Sequence, residues 1–222
     1  MCIRDSDQVL QRKQKLDVLR SSTDAYPNEF RRDTDTRRIR DQFDELDEAA
    51  LTAESVRVTL AGRVMTKRVM GKASFADVQD EHGRIQLYAQ RDRLPEGLYT
   101  QLFRKLDIGD LIGVTGVLFR TRTGELTVQV EDVRLLVKAL HPLPEKFHGL
   151  ADVETRYRRR YVDLIVNQTS RETFRRRAQI TSALRRFLDE RGYLEIESPM
   201  MQTIPGGANA RPFVTHHNAL DM

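Results

Sequence analysis

Met70–Asp92 reads M-G-K-A-S-F-A-D-V-Q-D-E-H-G-R-I-Q-L-Y-A-Q-R-D, and its alternation decides the fold. Two short strands joined by a tight turn at Glu81-His82-Gly83 account for the pattern, because successive strand side chains point to opposite faces. Ser74, Ala76, Val78, Ile85, Leu87 and Ala89 share a small or apolar face. Phe75, Asp77, Arg84, Gln86, Tyr88 and Gln90 share the other. An aromatic set among Arg, Gln and Tyr has the composition of a surface that stacks on bases and hydrogen-bonds their edges. The competing expectation is that another element of the domain covers Phe75, or that the ring is merely half exposed, since singly exposed apolar residues are common.

Upstream of the hairpin, Val56, Val58, Leu60 and Val64 alternate with Arg57, Thr59, Ala61 and Arg63. This predicts a long first strand ending near Lys67-Arg68, with Gly62 marking a bend or bulge. Downstream, Leu98, Leu102 and Leu106, with Tyr99 and Phe103 beside them, predict an amphipathic helix over Pro95–Leu106. Asp110–Phe119 reads as a fourth strand, Thr121–Glu125 as a turn and Leu126–Leu135 as a fifth strand. In the fifth, Leu126, Val128 and Val130 face away from Thr127, Gln129 and Glu131. Three strands, a helix and two strands is the order of the OB-fold, a small Greek-key barrel whose second and third strands commonly carry oligonucleotides. Fold alone does not establish function.

Two polar helices are expected before the barrel. Ser6–Arg20 carries Val9, Leu10, Leu16 and Leu19 along one side, and Thr36–Ala50 carries Ile39, Phe43 and Leu46; Tyr26-Pro27-Asn28 separates them. The first six residues read as a cloning or assembly scar, which would make Cys2 meaningless. After the barrel, Pro142 and Pro144 stiffen a linker. Beyond it Tyr157, Tyr161 and Leu164 stripe a helix whose opposite side bears Arg156, Arg158, Arg159 and Arg160. A stronger helix follows, with Thr169 and Glu172 as a capping box and Gly192 as its terminator. Phe174, Ala178, Thr181, Leu184 and Leu188 are its expected buried face. Tyr193–Ser198 reads as a strand closed by Pro199, Ile204–Ala208 as a glycine turn and Arg211–Val214 as an extended piece. The expected organisation is therefore a helical extension over 1–52, a barrel over 53–138, a linker over 139–150 and the start of a second domain over 151–222. The fold class is α+β.

Of 222 residues, 39% are hydrophobic and 32% charged, enough for a core and consistent with a soluble protein. No apolar run reaches the ~18 residues a membrane helix needs, and no signal-peptide pattern opens the chain. The single cysteine excludes an internal disulfide. Net charge is only +4, but eleven arginines fall within Arg156–Arg191 while Asp33–Glu48 is net acidic. A polyanionic partner or a solvated helix face would each account for that asymmetry. His216-His217 lacks a third ligand at metal-binding spacing, and adjacent strand residues point apart.

The segments M-G-K-A-S-F, T-G-E-L, K-F-H-G-L-A-D-V-E-T-R-Y-R-R-R-Y-V-D-L-I, G-Y-L-E-I-E-S-P-M-M and I-P-G-G-A-N-A-R-P-F-V-T-H-H-N-A-L-D occur in that order. Together they resemble the amino-terminal part of the bacterial lysyl-tRNA synthetases, class II enzymes, from about Tyr26 to Met222. The resemblance implies a barrel that reads the U-rich anticodon of lysine tRNA. Phe75 would stack on the middle anticodon base, Gln86 and Glu125 would hydrogen-bond uracil edges, and Arg68 would add a polar or phosphate contact. Arg171–Pro199 resembles motif 1, with Pro199 its hallmark proline, and implies a homodimer interface. Gly206 matches a backbone contact to bound lysine; the alternative is a turn glycine needing positive φ. The family activates lysine with ATP and Mg²⁺ and passes it to the tRNA 3′ end, in the cytoplasm. Its motifs 2 and 3 and its lysine-selecting acids have no counterpart up to Met222. The expectation is a chain that keeps anticodon recognition but is inactive in adenylate formation, with no catalytic residue of its own. A stand-alone OB-fold module binding tRNA or single strands, and a synthetase for another amino acid of the subclass, are the alternatives.

Overall fold

The computed structural model describes residues 7–22, 25–144, 150, 152–202, 211 and 213–221. The chain divides into two compact units, Met1–Gly149 and Leu150–Met222. The glycine turn at 204–208, with Gly206, and the first six residues, with Cys2, lie outside the described residues.

In the first unit, β1 (Arg57–Met70), β2 (Ala73–Gln79), β3 (Arg84–Gln90), β4 (Leu111–Arg120) and β5 (Leu126–Val137) close a barrel in the order β1-β2-β3-β5-β4. Only the β3–β5 pairing is parallel. Val58, Leu60, Val64, Ala76, Val78, Ile85, Leu87, Ile112, Val114, Leu118, Leu126, Val128 and Val130 fill the interior, as alternation required. The expected helix after β3 is shorter than its pattern: α4 spans Leu98–Gln101, and a 3-10 turn covers Phe103–Lys105. It still delivers Tyr99 and Phe103 fully buried into the core. The hydroxyls of Tyr99 and Ser74 share a 2.8 Å hydrogen bond, which explains a serine on the inward face of β2.

The break in β1 is not at Gly62. Register against β2 runs Arg63↔Gln79, Val64↔Val78, then Thr66↔Asp77, so the extra residue is Met65. Val64 and Met65 are consecutively buried as a result. Gly62 instead marks a close approach, since a Cβ there would lie 3.1 Å from Gln79 O and from Val78 Cβ.

Among the described residues the N-terminal helices number three, not two: α1 (Asp7–Ser22), α2 (Thr36–Phe43) and α3 (Glu48–Glu54). The helix expected over 36–50 breaks because Asp47 caps α3, accepting from the Ala50 N–H at 2.8 Å. Arg120, at the end of β4, takes up carbonyls freed at the break, donating to Leu46 O (2.6 Å), Phe43 O (3.4 Å) and Asp44 O. In α1 the buried line is Val9, Arg12 and Leu16, whereas Leu10 is exposed. Arg12 is buried with its guanidinium donating to the carbonyls of Ala139 (3.1 Å) and His141 (3.3 Å). Lys138 belongs to the barrel: its buried ammonium is bound by Asp110 at 2.8 Å and Asp107 at 2.5 Å.

The second unit contains α5 (Val153–Arg158), α6 (Arg160–Val166) and α7 (Gln168–Asp189). The single helix expected across Tyr157 and Leu164 is interrupted at Arg159, where φ is −120° and ψ 51°. Tyr157 and Tyr161 are exposed. Arg156 and Arg160 turn onto the fully buried Asp163 carboxylate, Arg156 Nε at 3.0 Å, rather than forming a solvated face. Burial alone would raise the Asp163 carboxyl, but hydrogen bonds from Ser170, Arg156 and Arg160 outweigh it and hold the group below its ordinary value. No Thr169–Glu172 capping box forms. Asn167 precedes α7 without a side-chain cap, and Glu172 accepts from Gln168 Nε2 at 2.8 Å. Gly192 ends α7 as expected, at φ +80°, with Tyr193 N bonded to Leu188 O and Gly192 N to Asp189 O. Phe174, Leu184 and Leu188, the expected buried face, are exposed. Residues 193–199 form no strand, because no strand among the described residues pairs with them. Pro199 lies exposed at the end of that stretch, and 211 and 213–214 form no strand either.

Candidate nucleic-acid interface

Barrel register assembles the outer face of β2 and β3. Arg68 on β1 pairs with Phe75 on β2, Phe75 with Tyr88 on β3, and Tyr88 with Gln129 on β5. The neighbouring row runs Thr66, Asp77, Gln86, Thr127 and Phe119. Phe75 is therefore on the outside of the barrel, half-buried. Its ring lies 4.7 Å from that of Tyr88 at an interplanar angle of 30°, and Tyr88 lies 5.8 Å from Phe119. One side of the Phe75 ring is thus backed by an aromatic neighbour in the geometry such pairs prefer. Its half-buried state also fits the plainer alternative of a half-exposed ring.

A polar chain fixes Tyr88 in turn. Arg93 donates to Gln129 Oε1 (3.1 Å), Gln129 Nε2 to Gln90 Oε1 (3.2 Å), and Gln90 Nε2 to the Tyr88 hydroxyl (2.8 Å). Bonds between amide groups in sequence leave little freedom for the ring they end on.

The two adjacent basic residues of β1 separate sharply. Lys67 donates to the carbonyls of Arg104 (2.8 Å) and Leu106, and burial pushes its ammonium below the ordinary lysine value. Arg68 is exposed, and its side chain has no hydrogen-bond or ionic partner among the described residues. Gln86 is half-buried, with its Oε1 accepting from the Thr127 hydroxyl at 3.0 Å. Glu125 is exposed in the turn before β5, with Oε1 3.8 Å from Arg40 Nη2. Arg40 also donates to Arg84 O at 2.9 Å, which fastens α2 to the start of β3.

The hairpin turn is held by Asp80, whose carboxylate accepts from Thr36 N (2.7 Å), Thr36 Oγ1 (2.6 Å), His82 N (2.8 Å) and Gly83 N (2.9 Å). Burial would raise this carboxyl, but the four donors together hold it below its ordinary value. The acidic stretch before the barrel thus contributes structure to the hairpin: Thr36 is the link.

Phe75, Gln86 and Arg68 fall in adjacent rows of this face, and Glu125 stands in the turn that leads into β5, its main-chain oxygen 3.1 Å from the Thr127 hydroxyl. Pro199 is in the other unit, and Gly206 is outside the described residues. Sequence reading gave no role to Thr127, Phe119, Gln129, Arg93, Arg40 or Asp80. Alternation places the first three outward, but only the parallel β3–β5 register brings them beside Gln86 and Tyr88. The arrangement offers a half-exposed ring, a neutral amide, a carboxylate and an unpaired guanidinium, the set that unstacked bases of single-stranded RNA require. Among the described residues no cluster of three or more His, Cys, Asp or Glu could hold a metal ion.

Residues 58–136 match the family model for an OB-fold nucleic acid binding domain, and residues 152–222 match that for class II tRNA synthetases (D, K and N). The chain is 58% identical over 217 residues to the lysine–tRNA ligase of Idiomarina loihiensis and 56% identical over 217 residues to that of Serratia proteamaculans. Each match covers 98% of this chain and 43% of the relative. The Yersinia pestis lysine–tRNA ligase is 57% identical over 211 residues, 95% of this chain and 42% of the relative. The chain thus spans less than half the length of the curated relatives it matches. With an OB barrel followed by a stretch of class II domain, and with identity running through both, the chain is a homologue of the lysine–tRNA ligases.

Proposed function

We propose that the outer face of β2 and β3 reads the U-rich anticodon loop of lysine tRNA, and that the protein serves the ATP- and Mg²⁺-dependent ligation of lysine to that tRNA in the cytoplasm. The observation that supports this most is the outward Phe75 ring, backed by Tyr88 and flanked by Gln86, Glu125 and Arg68. The free face of Phe75 stacks on a splayed base, a contact worth about 1–3 kcal/mol. Gln86 and Glu125 hydrogen-bond base edges, and Arg68 neutralises phosphate. A carboxylate beside polyanionic RNA is costly unless it accepts a base N–H, so Glu125 contributes selectivity as much as affinity.

In the same reading, residues 53–138 are the anticodon-binding domain, 139–150 a linker and 151–222 part of the catalytic domain. Pro199 belongs to a motif 1 dimer interface, and Gly206 contacts lysine. In that scheme the barrel's part is to bind and orient tRNA.

Anticodon hairpins test the reading. The chain should bind a 17-nucleotide hairpin bearing UUU more tightly than hairpins in which a uridine is replaced by cytidine. Each well-read position should cost about 1–3 kcal/mol on replacement. Equal affinity for all the hairpins would overturn base-specific reading and leave only charge attraction.

A further inference from the structure

Thr127 is fully buried although it sits on the outward side of β5. Its strand partners are Gln86 on β3 and Phe119 on β4. The hydroxyl donates to Gln86 Oε1 at 3.0 Å and lies 3.1 Å from the main-chain oxygen of Glu125. One side chain therefore ties the amide expected to read a base to the backbone of the carboxylate expected to read another.

We infer that Thr127 is a positioning residue for base discrimination: by engaging Gln86 Oε1 from beneath, it leaves the Gln86 Nε2 group facing the RNA. This rests on the anticodon reading above. A glutamine amide offers an acceptor at one end and two donors at the other, and a half-turn about its last torsion exchanges them. Without a partner on Oε1 the two ends are interchangeable, and Gln86 would accept from an exocyclic amine as readily as it donates to a carbonyl. With Oε1 occupied, Gln86 is a donor, and Nε2 has no partner among the described residues. Its complement is a base carbonyl. Uracil presents O4 where cytosine presents an amine, so the same contact selects uridine over cytidine. Water is excluded there, so the hydroxyl's one proton goes either to Gln86 Oε1 at 3.0 Å or to Glu125 O at 3.1 Å, and the first arrangement is the one that fixes Gln86 as a donor.

The test is a double-mutant cycle on the full chain, read as the ratio of affinities for uridine- and cytidine-bearing anticodon hairpins. Thr127→Val keeps the shape and removes the proton, and should reduce a ratio of roughly 10-fold to about 2-fold or less. Thr127→Ser should restore it, and Thr127→Ala is the second removal variant should valine lower the melting temperature. In a Gln86→Ala background, Thr127→Val should change nothing further, which a general loss of barrel integrity could not produce. If Gln86→Ala collapses the ratio but Thr127→Val and Thr127→Ala preserve it in folded protein, the positioning role is overturned while the anticodon reading stands. If Gln86→Ala itself leaves the ratio unchanged, the anticodon reading fails and this inference falls with it.

Discussion

The barrel and the helices after residue 150 use apolar spacing in similar measure, with opposite results. Every inward position of β2 and β3 is buried, and Phe103 reaches the core with no exposure at all. On α7, Phe174, Leu184 and Leu188 are 41%, 59% and 45% exposed. The difference lies in partners. Each barrel strand has two neighbours in a closed ring, while the helices of the second unit are tied mainly by polar contacts around Asp163. Periodicity states which face of an element is apolar; burial also requires something to lie against it.

The contrast is broken or sharpened by substitution. Phe103→Ala should destabilise the first unit by about 3–5 kcal/mol, whereas Leu184→Ala should change stability by about 0.5 kcal/mol or less. Urea unfolding of each variant checks the pair, and equal effects would show that α7 is packed in solution. Asp163→Asn should cost the second unit about 1–3 kcal/mol, because Arg156 and Arg160 lose the negative charge and one of the two acceptor oxygens they share; helical content by circular dichroism would register it.

Asp80→Asn should cost the hairpin a comparable or smaller amount, about 1–2 kcal/mol. It should also alter the acid limb of stability. The folded carboxyls of Asp80, Asp107 and Asp163 lie below the ordinary value of 3.8. At Asp107, burial would raise the carboxyl but the Lys138 and Lys15 ammoniums outweigh it. A depressed folded value stabilises fully above the unfolded value and is lost as pH falls through the folded one. Denaturant midpoints measured from pH 6 down to pH 2 should therefore fall below about pH 4, and Asp80→Asn should flatten that fall.

Much of the barrel is legible in the chain itself, because alternation between Val56 and Leu135 changes phase only where a residue is inserted. Met65 was missed as the bulge since Gly62 is the commoner signal, and the side chain of Met65 suits either face. The helix break at Asp44–Asp47 follows from the Asp47 cap, but the partner that takes up the freed carbonyls, Arg120, lies in β4, far along the chain. Alternation and strand order put Phe75 and Gln86 on one face and Glu125 at the entry to the fifth strand, whereas Arg68 enters only through the family resemblance. Thr127 and Phe119 were not placed beside them, since a parallel register between β3 and β5 leaves no trace in either strand. In the second unit the Asp163 cluster was missed because the same arginines fit a solvated face equally well.

The central claim is that the Phe75 ring, outside the barrel, stacks on an anticodon base. Phe75→Ala in the full chain, titrated with a UUU anticodon hairpin, measures it most directly. Affinity should fall about 5- to 150-fold, with the urea midpoint of the barrel essentially unchanged. Unchanged affinity in a folded Phe75→Ala protein would contradict the account.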